Sequence, residues 1–157
     1  MSSSPKGLIA IGSDHRGSAI AVAIEQQLRL DGFDVALLSE TTGSPTDYPD
    51  IAWRVSQTIV TGKASRGILI CGTGIGMAIA ANKVQGIRAA LALDELSAQL
   101  SRTHNDANVL CLSADLLGQT LVKRIVDVWM KSAYEGGRHA RRLAKITRIE
   151  QGEDPKG

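Results

Sequence analysis

The sequence predicts an α/β fold in which a five-stranded parallel sheet is covered by helices on both faces. Five short runs rich in Ile, Val and Leu alternate with longer segments whose apolar residues recur every three or four positions. The runs are mostly apolar rather than alternating, as strands buried on both faces must be. The turns that follow them are polar or glycine-rich, the punctuation expected of strand-to-helix connections.

Gly7 to Gly12 is the first strand, and Ser13-Asp14-His15-Arg16-Gly17 is the turn at its carboxyl end. Ile20, Ala23, Ile24 and Leu28 then recur at helical spacing until Asp31-Gly32 stops the helix. Phe33 to Leu38 is the second strand, Glu40 to Asp47 a polar loop with Gly43 and Pro45, and Tyr48-Pro49-Asp50 opens a helix with Ile51, Val55 and Ile59 on one face. Pro49 costs little there, because the N–H it lacks would have been unpaired in the first turn. Gly67 to Ile70 is the third strand, and Met77 to Val84 begins the helix after its loop. Ile87 to Leu93 forms the fourth strand, Leu96 and Leu100 mark a helix running towards His104, and Asn108 to Leu112 forms the fifth strand. Val122, Ile125, Val126 and Trp129 give an amphipathic helix that Gly136-Gly137 ends, and Arg138 to about Ile149 forms a last, basic helix. Met1 to Lys6 and the polar segment from Gln151 to Gly157 are expected to be loose tails.

With 157 residues, 43% of them hydrophobic, the chain suits one compact domain over residues 1–157. The net charge of +2 is small and the basic residues are spread out except near the C-terminus, so a nucleic-acid partner has little electrostatic support. Two cysteines inside apolar runs make neither a disulfide framework nor a metal motif, which fits a reducing compartment. The N-terminus has no basic segment followed by an apolar core, and no apolar run approaches the roughly 20 residues needed to span a bilayer. The expectation is a cytoplasmic protein with no membrane partner.

The chemistry concentrates in Gly67-Ile-Leu-Ile-Cys-Gly-Thr-Gly-Ile-Gly-Met-Ala-Ile-Ala-Ala-Asn-Lys83. This stretch reads as a buried strand, a tight glycine loop and a helix whose first N–H groups face back over the loop, where they favour negative charge. Cys71 stands at the lip of that loop, a setting that favours the thiolate. Taken alone, a free cysteine is more often a small buried hydrophobe. The spacing G-x-G-x-G is not that of a dinucleotide fingerprint, since Met77 stands at the third glycine position, and there is no G-K-[ST] for a P-loop. Ligands of parallel sheets bind at the carboxyl ends of the strands. Asp14 and His15 follow the first strand and Cys71 to Gly76 the third. The segments holding Tyr48 and His104-Asn105 are expected to reach the same edge, gathering Asp, His, Cys, Thr and Asn at one rim.

Several longer motifs then fall in order. Ser13-Asp-His-Arg-Gly17, Thr46-Asp-Tyr-Pro-Asp50, Gly67 to Gly76, Ala80-Ala-Asn-Lys83, Ser97 to Val109 and Tyr134-Glu-Gly-Gly-Arg-His-Ala-Arg-Arg142 together run from about Leu8 to Ile149. With these the chain resembles the ribose-5-phosphate isomerase B family, which includes galactose-6-phosphate isomerase subunits and related sugar-phosphate isomerases. The resemblance implies a Rossmann-like three-layer α/β/α fold and isomerisation of a sugar phosphate without metal or other cofactor. It also implies a homodimer, or a tetramer of paired dimers, whose sites lie between subunits. In cysteine-type members the residue matching Cys71 is the base that moves a proton between C1 and C2. Other members carry Glu at the position of Met77 and lack the cysteine.

That reaction needs a base and an oxyanion hole. Cys71 is the expected base, with the amides of Gly72, Thr73, Gly74, Ile75 and Gly76 and the Thr73 hydroxyl on the enediolate oxygen. His104, helped by Asp14, is the expected pair for opening the sugar ring, since imidazole both gives and takes a proton near neutral pH. Asn105 and Tyr48 would orient hydroxyls. Arg138 and Arg142 lie one helical turn apart and can face one phosphate, with His15 a further phosphate ligand by the same resemblance.

These residues also have plain readings: Asp14 and His104 as helix caps, Tyr48 as packing, and the arginines as a solvated face. Asp115 stands where many family members carry a phosphate-binding arginine, and Asp94-Glu95-Leu96 departs from an aromatic-bearing version. Ribose 5-phosphate with ribulose 5-phosphate is the leading substrate pair, and a tetrose or hexose phosphate is the alternative. A nucleotide-binding module is the alternative of a different class, with Glu40 as the only nearby acid for a ribose contact.

Overall fold

A computed structural model describes residues 7–39 and 45–157, so the expected N-terminal tail, Glu40 and Gly43 lie outside the described residues. The elements are β1 (Ile9–Ser13), α1 (Ser18–Leu30), β2 (Val35–Leu37), α2 (Tyr48–Val60), β3 (Arg66–Cys71), α3 (Ile75–Ala81), β4 (Ala89–Leu91), α4 (Glu95–Thr103), β5 (Val109–Ser113), α5 (Gln119–Lys131) and α6 (Arg138–Glu150). All strand pairs are parallel, in the order β2-β1-β3-β5-β4. The sheet is the expected five-stranded one of a Rossmann-like α/β/α fold.

Side chains alternate across the pleat and build two cores. Ile9, Ile11, Ile68, Ile70, Leu110 and Leu112 face Ile24 and Leu28 of α1, Ala98 of α4 and Val122, Ile125 and Trp129 of α5. Ala10, Leu69, Cys71, Val109 and Cys111 face Ile51 and Val55 of α2 and Met77 and Ala81 of α3. The chain passes from β1 to β2 on one side and returns to β3 on the other. The switch point of the sheet therefore lies between β1 and β3, where such folds open a ligand crevice.

Boundaries shift where pairing decides them. The outer strands β2 and β4 keep only three residues, since each has one neighbour. The third helix starts at Ile75, two residues before Met77, and ends early because the Asn82 side chain leaves it for β4. Asn82 Nδ2 donates to Ala89 O at 2.9 Å, and the Ala89 N–H donates to Asn82 Oδ1 at 2.8 Å. The segment from Gln151, expected to be loose, turns back on α6: Glu153 N–H donates to Arg148 O, Arg148 Nε to Glu153 Oε2, and Lys145 Nζ to Pro155 O. Among the described residues no helix is long and apolar enough to cross a membrane.

Candidate active site

At the carboxyl edge the loop after β3 is closed on itself. Gly74 has φ +76°, a left-handed conformation that glycine adopts without strain, and its N–H donates to Cys71 Sγ at 3.1 Å. The Ile75 N–H donates to Thr73 Oγ1 at 3.3 Å, which leaves the Thr73 hydroxyl proton available. Two of the five amides expected to bind an oxyanion are therefore spent locally. Among the described residues the remaining three, Gly72, Thr73 and Gly76, make no hydrogen bond through their N–H groups, and neither does Met77 N–H. Cys71 is 5% exposed at the strand end. Cys111 lies fully buried behind it, its thiol pushed up by burial and secondarily by Cys71, so it is the inert member of the pair.

Neighbouring turns hold this loop from three sides. Tyr48, at the start of α2, lays its ring on Gly76 so closely that a Cβ there would come within 2.6 Å of the ring. Asp14 is buried just after β1, where Oδ1 accepts from the Arg16 N–H at 3.0 Å and the Gly17 N–H at 3.2 Å. These bonds close the turn before α1 rather than cap the helix, whose N-cap is Gly17 with no side-chain cap bond, and His15 stands exposed beside Asp14. After β5, Ser113 Oγ donates to Gly72 O at 2.7 Å and the Asp115 N–H to the same oxygen at 3.0 Å. Asp115 Oδ2 in turn accepts from Arg16 Nε and Nη2.

The remaining expected residues are elsewhere. Helices run antiparallel to their strands in this fold, so the C-terminus of α4, with His104 and Asn105, lies at the amino edge of the sheet. The Glu135 N–H donates to Thr103 O and the Arg66 guanidinium to Met130 O at that same edge. Since β3 spans six residues, the two edges are about 17 Å apart at roughly 3.3 Å per residue. The expectation that one chain gathers all these residues at one rim is thus corrected: Asp14, His15, Tyr48 and Cys71 to Gly76 form one cluster, and His104, Asn105, Arg138 and Arg142 belong to the other.

In the second cluster His104 stacks on His139 with ring centroids 4.1 Å apart and planes 13° from parallel. His139 is 5% exposed, and its Nε2 lies 3.8 Å from Glu135 Oε2. Burial lowers the pKa of His139, as do His104, Arg138 and Arg142, while Glu135 opposes them. Sequence reasoning missed His139, although Arg138 and Arg142 bracket it on one helix. His104, Glu135 and His139 hold their donor atoms within 4.8 Å of one another. Two guanidinium groups beside them make that a poor place for a cation. A groove of about 440 Å³ between β4 and α6 is lined by Asn105 alone of the expected site residues.

The family model described as Ribose/Galactose Isomerase matches residues 9–146. Ribose-5-phosphate isomerase B of Escherichia coli strain K12 is 46% identical over 143 residues, covering 91% of this chain and 96% of the relative. D-erythrulose-4-phosphate isomerase of Pectobacterium atrosepticum is 44% identical over 139 residues, covering 88% and 91%. The solved structure of Clostridium thermocellum ribose-5-phosphate isomerase B superposes with a TM-score of 0.91 at 44% identity, covering 92% of this chain and 98% of that one.

Proposed function

This chain belongs to the ribose/galactose isomerase family, and from that premise we propose that it interconverts ribose 5-phosphate and ribulose 5-phosphate, with the Cys71 thiolate as base. Membership makes it a sugar-phosphate isomerase. The observation that carries the proposal is the Gly74 N–H held 3.1 Å from Cys71 Sγ beside the unspent Gly72, Thr73 and Gly76 amides of the same loop.

In the open-chain aldose, Cys71 removes the C2 proton, and the electron pair shifts through a C1–C2 double bond onto the C1 oxygen. The cis-enediolate so formed faces the free Gly72, Thr73 and Gly76 amides, with Met77 N–H beside them, and the Thr73 hydroxyl. The O2 hydroxyl proton passes to the C1 oxygen, which moves the negative charge to the C2 oxygen; as that oxygen forms the carbonyl, C1 takes back the proton from Cys71 and the ketose is complete. Removing one such oxyanion donor costs about 3 kcal/mol in other enzymes, so the loop contributes on the scale of the base. Ring opening falls to His104, and Arg138, Arg142 and His15 hold the phosphate. Tyr48 and Asn105 orient hydroxyls, and Asp14 assists while its Oδ1 caps the turn.

Two half-sites on opposite edges of one sheet support a homodimer in which each chain's amino edge meets the other's carboxyl edge, giving two shared sites. Among the described residues α6 buries only His139, while Ile146 and Ile149 are 45% and 59% exposed, an apolar face that suits a second copy.

Kinetics with four-, five- and six-carbon aldose phosphates test the substrate. Ribose 5-phosphate is expected to give the highest kcat/KM, and a clear preference for another chain length overturns it. The second reading is a tetrose phosphate, favoured by the D-erythrulose-4-phosphate isomerase relative and by the acid at position 115.

A further inference from the structure

We propose that Arg16 and Asp115 form a specificity-determining pair that reads the substrate hydroxyl on C3, the carbon beside the two that react; this rests on the isomerase reading above. Arg16 Nε and Nη2 donate to one oxygen, Asp115 Oδ2, at 3.1 and 2.8 Å. The pair sits directly on Gly72, where a Cβ would come within 2.8 Å of Asp115 Oδ2 and 3.0 Å of Arg16 Nε.

Asp115 is fixed to the loop itself and Arg16 to the neighbouring turn after β1. The Asp115 N–H donates to Gly72 O at 3.0 Å, and the Arg16 N–H donates to Asp14 Oδ1 at 3.0 Å. Their side chains are 55% and 38% exposed, and an ion pair so open to water adds little to stability. A fold-stabilising role is therefore a weak account of two charged groups mounted one residue beyond Cys71.

The pairing leaves an acceptor and a donor side by side. Asp115 Oδ1 and Arg16 Nη1 make no hydrogen bond among the described residues. A carboxylate oxygen beside a guanidinium N–H matches a hydroxyl, which donates to one and accepts from the other. It suits a phosphate dianion poorly, because the pair is neutral overall and its carboxylate repels the anion. With C1 and C2 placed over Cys71 and the loop amides, the hydroxyl assigned to the pair beside Gly72 is that of the next carbon, C3.

A site built to bond a hydroxyl rejects the analogue that lacks it, by as much as about 10⁴-fold, because its polar groups are left unpaired. The test compares kcat/KM for the chain's best aldose phosphate and for its 3-deoxy counterpart, in wild type, Asp115→Asn, Arg16→Ala and Arg16→Lys. Wild type is expected to prefer the hydroxylated substrate by about 100-fold or more. Asp115→Asn and Arg16→Ala are expected to lose about 10- to 100-fold on that substrate and to keep the 3-deoxy rate within about three-fold, so that the preference collapses. Arg16→Lys recovers part of it. Melting temperatures within about 2 °C of wild type exclude a general loss of fold. An unchanged preference in both Asp115→Asn and Arg16→Ala, or no preference in wild type, overturns the pair's role. No turnover of any aldose phosphate by wild type overturns the isomerase reading itself.

Discussion

Gly74→Ala is the substitution whose effect the loop geometry fixes most closely. At φ +76° an alanine is strained by about 1 kcal/mol. Its Cβ would also stand 2.6 Å from Leu91 Cδ1 and 2.9 Å from Leu112 O. The leucine can turn aside, but the backbone oxygen belongs to the end of β5, so the loop must move instead. Overpacking of this kind adds about 1 to 3 kcal/mol, for a total of about 2 to 4 kcal/mol and a melting point lower by roughly 5 to 15 °C. Gly62→Ala is the matched control: φ is +74° and nothing lies within 4 Å, so it carries the conformational cost alone. Displacing the loop also takes the Gly74 N–H from Cys71 Sγ, and kcat is expected to fall by about 100-fold. Calorimetry with steady-state kinetics reads both effects. A Gly74→Ala protein that melts no lower than Gly62→Ala and turns over normally refutes the reasoning.

Cys71→Ala is expected to abolish isomerisation while leaving ribose 5-phosphate binding within about three-fold by calorimetry; full turnover would remove the assigned base. Arg142→Ala is expected to raise KM by about 10-fold with little change in kcat and to weaken inhibition by inorganic phosphate in step, whereas an unchanged KM would return α6 to ordinary surface. His139 gives a pH dependence. Its proton is held less tightly in the folded chain than in the unfolded one, so the unfolded state binds more protons as pH falls. Stability is then complete above about pH 6.5 and declines as pH drops through that value towards the lowered folded pKa. Thermal melts between pH 5 and 8 should show this slope, and His139→Gln should flatten it.

The fold was legible because each element announces itself locally. Short β-branched runs such as Ile68-Leu69-Ile70, bounded by Gly67 and the glycine loop, read as strands buried on both faces, and Asp31-Gly32 and Gly136-Gly137 punctuate the helices between them. The loop at Cys71 was legible for the same reason, since its glycines, cysteine and threonine are contiguous. The order of elements also decides which edge of a parallel sheet each turn occupies, and it speaks against a single rim. His104 follows a helix and precedes a strand, so it sits at the amino edge, opposite Asp14 and Cys71, which follow strands. Pairings between distant segments were hidden. The Arg16–Asp115 bridge spans 99 positions and the His104–His139 stack joins two helices, and neither has a local signature. The acid at Asp115 could be noticed from the sequence, but its partner could not.

In the proposed dimer the base of one chain works with the ring-opening histidine of the other. Equal amounts of Cys71→Ala and His104→Ala proteins, each inactive alone, should be unfolded and refolded together and assayed with ribose 5-phosphate. Random pairing makes half the dimers mixed, each with one intact site of its two, so the account predicts about a quarter of wild-type activity. Activity that stays at the level of the separate variants would contradict it.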